Sequence, residues 1–392
     1  MNSRIKQIAA AMGFDVCGIT SVAALKPGEE ALAQWVGEGK HGEMKYLEDF
    51  QARREKFFGK IPDAKSVIVL GVNYFSHLSS PARPGTQSIA LGSRFRGNDN
   101  VPKGRIARYA WGRDYHEIIR QKHLEFIEEL KREIGSGLRA ESCVDIQPVP
   151  ERHAAFSAGL GFAGKNTMLL SRQFGPWLFL SEIVTNLEIP EDPPAEGDCG
   201  TCAKCQQICP TGALDEDYAI DARKCIAYLT IEYKGIIPAE LRPQIKDWVF
   251  GCDACLTICP FTSHEKESTW PELKPEAGNG PWMDWDALFS LKSNREYEEK
   301  FAGTALLRAG RKQMLRNACI VLGNSGRPEA LPYLFQALQD PAPLVRLHAA
   351  WGIGQIGGET AVNMLIEQLG REPDAGVIEE VRRSLAALGM TR

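Results

Sequence analysis

Eight of the eleven cysteines in this 392-residue chain lie between residues 199 and 259, as CGTCAKCQQICP (199–210), a lone Cys225 and CDACLTICP (252–260). Three closely spaced thiols followed by Cys-Pro is the ligand run of bacterial ferredoxins, in which the fourth cysteine serves the other cluster. The second run lacks a nearby first cysteine, and Cys225 can supply it across a long loop. The expected ligand sets are then Cys199, Cys202, Cys205 and Cys259 for one [4Fe–4S] cluster, and Cys209, Cys225, Cys252 and Cys255 for the other. Zinc is the competing use of paired C-x2-C motifs, but zinc sites seldom use a long run closed by Cys-Pro on both sides. A disulfide framework is disfavoured as well. The opening MNSRIKQIAAAMGFDVCGIT has no basic lead, apolar core and small-residue cleavage site, so a reducing cytoplasm is expected. Cys17, Cys143 and Cys319 lie in apolar stretches and read as core residues.

Low-potential clusters move single electrons, and nearly 200 residues precede them here, so an acceptor held in that preceding region is implied. Length and an ordinary composition, 44% hydrophobic and 24% charged, indicate two or three globular domains and no disordered class. The longest apolar run, near residues 67–72, is far short of the roughly 20 residues a membrane helix needs. A net charge of −4 leaves any nucleic-acid role to a local basic patch. LLRAGRKQMLR (306–316) is such a patch, with Arg308, Arg311, Lys312 and Arg316 expected toward one side of a helix where they would meet phosphates.

Helical spacing over 3–12, a short strand at 15–20 and the β-branched run SVIVLGVNYF (66–75) predict an α/β domain over 1–190 with a doubly buried strand. Residues 79–104 interrupt it as a Ser, Pro, Gly and Asn-rich insertion, and 115–134 read as a long amphipathic helix. The glycines of AGLGFAGKN (158–166) lack the preceding strand of a dinucleotide fingerprint and read as backbone packed close to a flat ligand, or as turn residues. A two-cluster, ferredoxin-like domain is expected over 191–265. Glycines at 323, 354 and 389, each after an apolar helical stretch, predict HEAT-like helix pairs within a helical domain over 266–392. The fold class is thus α+β multidomain.

HGEMKYL (41–47), Arg54 with PDAKSVIVL (62–70), ARYAWGRDYH (107–116), VDIQPVPER (144–152), AGLGFAGKN, the cluster block and LRNACIVLGN (315–324) together resemble the epoxyqueuosine reductases, relatives of the corrinoid reductive dehalogenases. The resemblance implies a cobalamin enzyme that removes the epoxide oxygen of epoxyqueuosine at the wobble position of tRNA. It makes Asp145 the proton donor. It also implies corrinoid contacts at Arg54, Tyr109, Asp114, His116, Asp145, Lys165, Leu169, Ala227, Asp253 and Ala254, and at position 227 some relatives carry serine. The implied partners are the tRNA anticodon stem-loop and an external low-potential electron donor, for a cytoplasmic monomer. The alternatives are a corrinoid dehalogenase of small organohalides, against which stand the basic helix and the lack of a twin-arginine leader, and an electron-transfer or scaffold protein that binds no corrinoid.

Overall fold

The computed structural model describes residues 1–77, 101–135, 137–264 and 266–390. Most of the 79–104 insertion lies outside the described residues. By packing, the chain forms two units that each gather separate segments: residues 1–77, 112–223 and 253–277 in the first, and 78–111, 224–252 and 278–392 in the second.

The first unit is built on a four-stranded sheet. Helix α1 (Asn2–Ala11) buries Ile5, Ile8 and Ala9 and leads into β1 (Val16–Ser21). Helices α2 (Lys26–Gly37) and α3 (Phe50–Phe58) precede β2 (Ser66–Asn73), every residue of which is buried. Helix α4 (Tyr115–Ile134) covers one face with Ile119, His123, Phe126, Ile127 and Leu130. Then come β3 (Ala140–Cys143), α5 (Glu151–Ser157) and β4 (Leu178–Thr185). The sheet order is β1-β2-β4-β3 and every neighbouring pair is antiparallel. The double burial expected of residues 66–73 is present, produced by helices on both faces of an antiparallel sheet.

Side chains of β4 alternate between the faces. Ser181 meets His123 of α4, while Leu178, Leu180 and Val184 enter an apolar cluster with Cys143, Val149, Ala154 and Ala155. Cys143 and Cys319 are buried in the core, and Cys17 is half-buried; burial pushes all three thiols up, Cys17 to about 12.

In the second unit, residues 105–106 pair in parallel with 248–250. Helix α6 (Ile226–Ile231) follows Cys225. Helices α7 (Trp285–Ser290), α8 (Asn294–Lys300), α9 (Arg311–Asn324), α10 (Leu331–Ala337), α11 (Pro343–Ile356), α12 (Gly358–Arg371) and α13 (Ala375–Ala387) complete it. The helical repetition expected from the glycine spacing is present, and two of those glycines sit at helix crossings. A Cβ on Gly323 would lie 2.5 Å from Gly352 Cα, and one on Gly354 would lie 2.6 Å from Ser384 Cβ. Absent side chains let these helices approach closely.

Candidate active site and cluster site

Asp145 follows β3 in a left-handed conformation, φ 57°, which is uncommon for a residue other than glycine although aspartate tolerates it better than most. Its N–H donates to Glu151 Oε1 at 2.5 Å, and Arg53 donates to the carbonyl of the next residue, Ile146. The Asp145 side chain is 58% exposed and Ile146 is 62% exposed, so acid and apolar neighbour stand open together.

Helix α4 supplies the groups that face the Asp145 carboxylate. Asp114 caps the helix by accepting the His116 N–H at 3.0 Å, which fixes the first turn. That turn aims Tyr115 and His116 at Asp145: the Tyr115 hydroxyl donates to Oδ2 at 2.9 Å, and His116 Nε2 lies 3.4 Å from the same oxygen. Tyr115 is buried, stacked between His116 and Phe179 with ring centroids 4.1 Å from each. His116 Nδ1 meets Asp114 Oδ1 at 2.7 Å. Burial pushes the imidazole toward neutrality, but hydrogen bonds with Asp114 and Asp145 outweigh it and raise its pKa to about 9. Asp114 responds oppositely: burial pushes its carboxyl up, and the bonds to His116 bring it below its usual value.

Behind this group Glu182 of β4 is fully buried, and neither carboxylate oxygen has a partner among the described residues. Burial, then the charges of Glu151 and Asp145, push its pKa well up. Sequence reading missed Tyr115, Glu151 and Glu182. The available signals were a tyrosine inside ARYAWGRDYH, a glutamate inside VPER and a lone acid within the apolar strand LFLSEIVT.

Four thiols of the first unit line one cavity: Cys199, Cys202, Cys205 and Cys259, with Lys165, Asn166, Leu170 and Phe261 around them. Burial and the neighbouring thiols of Cys199, Cys205 and Cys202 push the Cys259 thiol up, against the pull of the Phe261 N–H. The Lys165 N–H donates to Cys199 Sγ at 3.4 Å, and its ammonium meets Asp217 at 3.0 Å. This is a soft, four-sulfur donor set of the kind that holds a [4Fe–4S] cluster. Of the other four cysteines, Cys209 and Cys255 belong to the first unit and Cys225 and Cys252 to the second.

The remaining site candidates are placed as follows. Leu169 packs its side chain in the apolar cluster under α5. Asp253 is buried, and Ala254 begins a short helical turn (Ala254–Thr257). In the second unit Tyr109 lies 6.0 Å from the Phe250 ring, and Ala227 packs against the helical core. Arg54 is not brought to Asp145: it pairs with Glu29, lies over Phe58 and lines an open cleft with Lys26, Lys65, Glu188 and Glu191. The flat-ligand reading of AGLGFAGKN is corrected. Each glycine there meets protein: a Cβ would fall 2.7 Å from Pro193 O at Gly159, 2.5 Å from Leu170 O at Gly161, and 2.8 Å from the Leu170 side chain at Gly164.

The basic patch also needs correction. Arg311 is buried, its guanidinium paired with Asp340 and donating to the Leu291 carbonyl. Arg316 is wholly buried among backbone carbonyls. Neither can reach phosphate: helical spacing put Arg311 or Lys312 toward one side with Arg316, but α9 is buried nearly all round. Arg308, paired with Glu232 at 2.8 Å and 56% exposed, and exposed Lys312 remain at the surface.

Residues 54–146 match the family model of epoxyqueuosine reductase QueG, 198–262 a 4Fe-4S double cluster binding domain, and 301–386 HEAT repeats. The double-cluster match assigns [4Fe–4S] clusters to the block. The epoxyqueuosine reductase of Xanthomonas campestris is 36% identical over 91% of this chain and 96% of its own. A crystal structure of epoxyqueuosine reductase with an epoxyqueuosine-modified tRNA-Tyr stem loop superposes with a TM-score of 0.85 at 30% identity, covering 99% of this chain and 98% of the other. That of Bacillus subtilis, with its aspartate catalytic loop swung out of the active site, gives 0.83 at 29% identity and 98% coverage of both chains. With that identity spanning nearly the whole length of both sequences, the chain belongs to the epoxyqueuosine reductase family.

Proposed function

We propose that this oxidoreductase reduces epoxyqueuosine to queuosine in tRNA, with Asp145 as the proton donor. The observation that carries the reading is the αL aspartate held open at the surface by Glu151, with Tyr115 and an imidazolium from His116 on one of its oxygens. Removing an epoxide oxygen as water to leave an alkene takes two electrons and two protons. The clusters deliver electrons singly. The proton on the His116 imidazolium, 3.4 Å away, would pass through Asp145 to the epoxide oxygen as the C–O bond breaks. His116 would then take a second proton from solvent and pass it along the same route. Tyr115 keeps the carboxyl oriented, and Glu151 holds its backbone.

The family resemblance names cobalamin as the acceptor of those electrons, and when bound it would supply a low-valent cobalt nucleophile. The exposed pair of Asp145 and the apolar Ile146 fits a face covered by a large ring system. Asp114, His116, Asp145, Lys165, Leu169, Asp253 and Ala254 of the first unit are the residues proposed to hold it. The same reading assigns one cluster to Cys199, Cys202, Cys205 and Cys259 and the other to Cys209, Cys225, Cys252 and Cys255. Arg308 and Lys312 are the proposed phosphate contacts for the tRNA stem-loop. The chain would act as a cytoplasmic monomer supplied by an external low-potential donor.

Asp145→Ala tests the acid. The variant is expected to keep its iron and cobalamin yet lose at least about a hundredfold in turnover of epoxyqueuosine-tRNA. Undiminished turnover would remove the proposed role.

A further inference from the structure

The cavity lined by Cys199, Cys202, Cys205 and Cys259 lies wholly within the first unit, and its walls are of two kinds. One is apolar: Phe162 and Leu170 pack with Cys199, Cys259 and Phe261, and the Phe162 and Phe261 rings meet edge-on with centroids 5.0 Å apart. The other carries two lysines, of which Lys204 is exposed and Lys165 buried. Water screens the first charge far more than the second.

Lys165 sits in the turn that joins residues 162–163 to 169–170, which pair antiparallel. The Gly164 N–H donates to the Met168 carbonyl and the Thr167 N–H to the Gly164 carbonyl, both at 2.8 Å, so the turn is closed around Lys165. Its own N–H is thereby aimed at Cys199 Sγ, 3.4 Å away. The ammonium lies 3.0 Å from Asp217 and also interacts electrostatically with Cys199. Asp217 in turn accepts from Gln206 Nε2 at 3.1 Å, and Gln206 follows Cys205 in the chain. Turn and cysteine run are joined twice, by an N–H on a sulfur and by a cation that an acid holds in place.

A [4Fe–4S] cluster on four thiolates becomes more negative when it is reduced. An apolar wall therefore lowers its potential, while hydrogen bonds to sulfur and nearby positive charge raise it. The Lys165 N–H and ammonium favour the added electron; the Asp217 carboxylate opposes it. We propose that Lys165 and Asp217 tune the reduction potential of the cluster held by Cys199, Cys202, Cys205 and Cys259, Lys165 raising it and Asp217 lowering it. This rests on the reading that those four thiols bind one cluster. The step concerned is a one-electron reduction by the external donor, in which no bond forms or breaks.

The test is an anaerobic potentiometric titration of the full-length, cluster-reconstituted protein with dithionite, without cobalamin or tRNA. The electron paramagnetic resonance of the reduced clusters is followed, and iron and sulfide per chain are measured. Cys199→Ser, which exchanges one ligand sulfur for oxygen, identifies the signal of this cluster. Lys165→Met keeps the N–H and removes the charge. It should lower that cluster's equilibrium constant for reduction at least about tenfold, a midpoint shift of about 59 mV for one electron. Asp217→Asn should shift the midpoint upward and by less, because Asp217 is 53% exposed and screened by water. Lys165→Arg should stay nearer the parent than Lys165→Met, and the double variant Lys165→Met with Asp217→Asn should return toward the parent. The other cluster should keep its parental midpoint throughout. Parental midpoints in both single variants, with about eight iron retained, would overturn the proposal. So would shifts of the same sign in both, which mark altered packing rather than charge. Should Lys165→Met lose its iron, the upward shift in Asp217→Asn decides alone. If Cys199→Ser alters neither signal, the ligand assignment fails and the proposal falls with it.

Discussion

His116 is the side chain whose charge the site most depends on. Its pKa is raised to about 9, so the imidazolium and its bonds to Asp114 and Asp145 are fully present below the unfolded value near 6.5 and lost as pH rises through about 9. Turnover by the parent enzyme should therefore fall on an alkaline limb near pH 9. His116→Gln should lose that limb and run about a hundredfold slower at pH 7.5, and a surviving limb would assign it to another group. Glu182 gives a second test, on stability. Its raised carboxyl pKa means a contribution fully present below about pH 4.5 and lost as the pH rises toward the folded value. Glu182→Gln, which resembles the protonated acid, should melt higher than the parent by at least about 2 °C at pH 8, and the difference should close as the pH falls to about 4. A parental pH slope in the variant would contradict a buried, protonated Glu182. The family resemblance offered Asp145 as a proton donor and His116 only as a corrinoid contact, because the motifs carry the residues and not the bonds between them. Tyr115 and Glu151 were not offered, since one acts through a hydrogen bond to the Asp145 carboxylate and the other through a bond from the Asp145 backbone N–H.

Helix α9 shows where pattern reading stops at the scale of an element. Its basic run and its helical period are plain, yet period alone does not say which side is buried. Nearly the whole helix is buried, Arg311 and Arg316 included, and only Lys312 is exposed in its first turn. The two kinds of arginine should separate by experiment. Arg311→Ala leaves Asp340 buried without its partner and should destabilise the fold by about 3–5 kcal/mol. Arg308 and Lys312 changed together to Ala should leave the melting temperature within about 2 °C of the parent, raise KM for tRNA several-fold and flatten its salt dependence. A destabilised double variant with unchanged KM would return both residues to a structural role. The sheet was legible differently: the burial of residues 66–73 was evident from their β-branched run. Antiparallel pairing was not, because a doubly buried strand reads the same in either orientation.

For the whole molecule, the cysteine arithmetic assigned the two-cluster block because iron–sulfur ligation constrains spacing more tightly than folding does. Within the first unit, Cys259 lines the same cavity as Cys199, Cys202 and Cys205, although it belongs to the other run. The boundaries of compact units were less visible, since each unit gathers three separate segments and no linker marks where the chain passes from one to the other. The central claim is that electrons from these clusters and protons from Asp145 meet on a tRNA nucleoside. Its most direct measurement is nucleoside analysis of epoxyqueuosine-containing tRNA after anaerobic incubation with the cluster-replete protein and a strong reductant, with and without cobalamin. The account predicts stoichiometric or greater conversion to queuosine only when cobalamin is present. Epoxyqueuosine that persists with cobalamin and both clusters in place would contradict it.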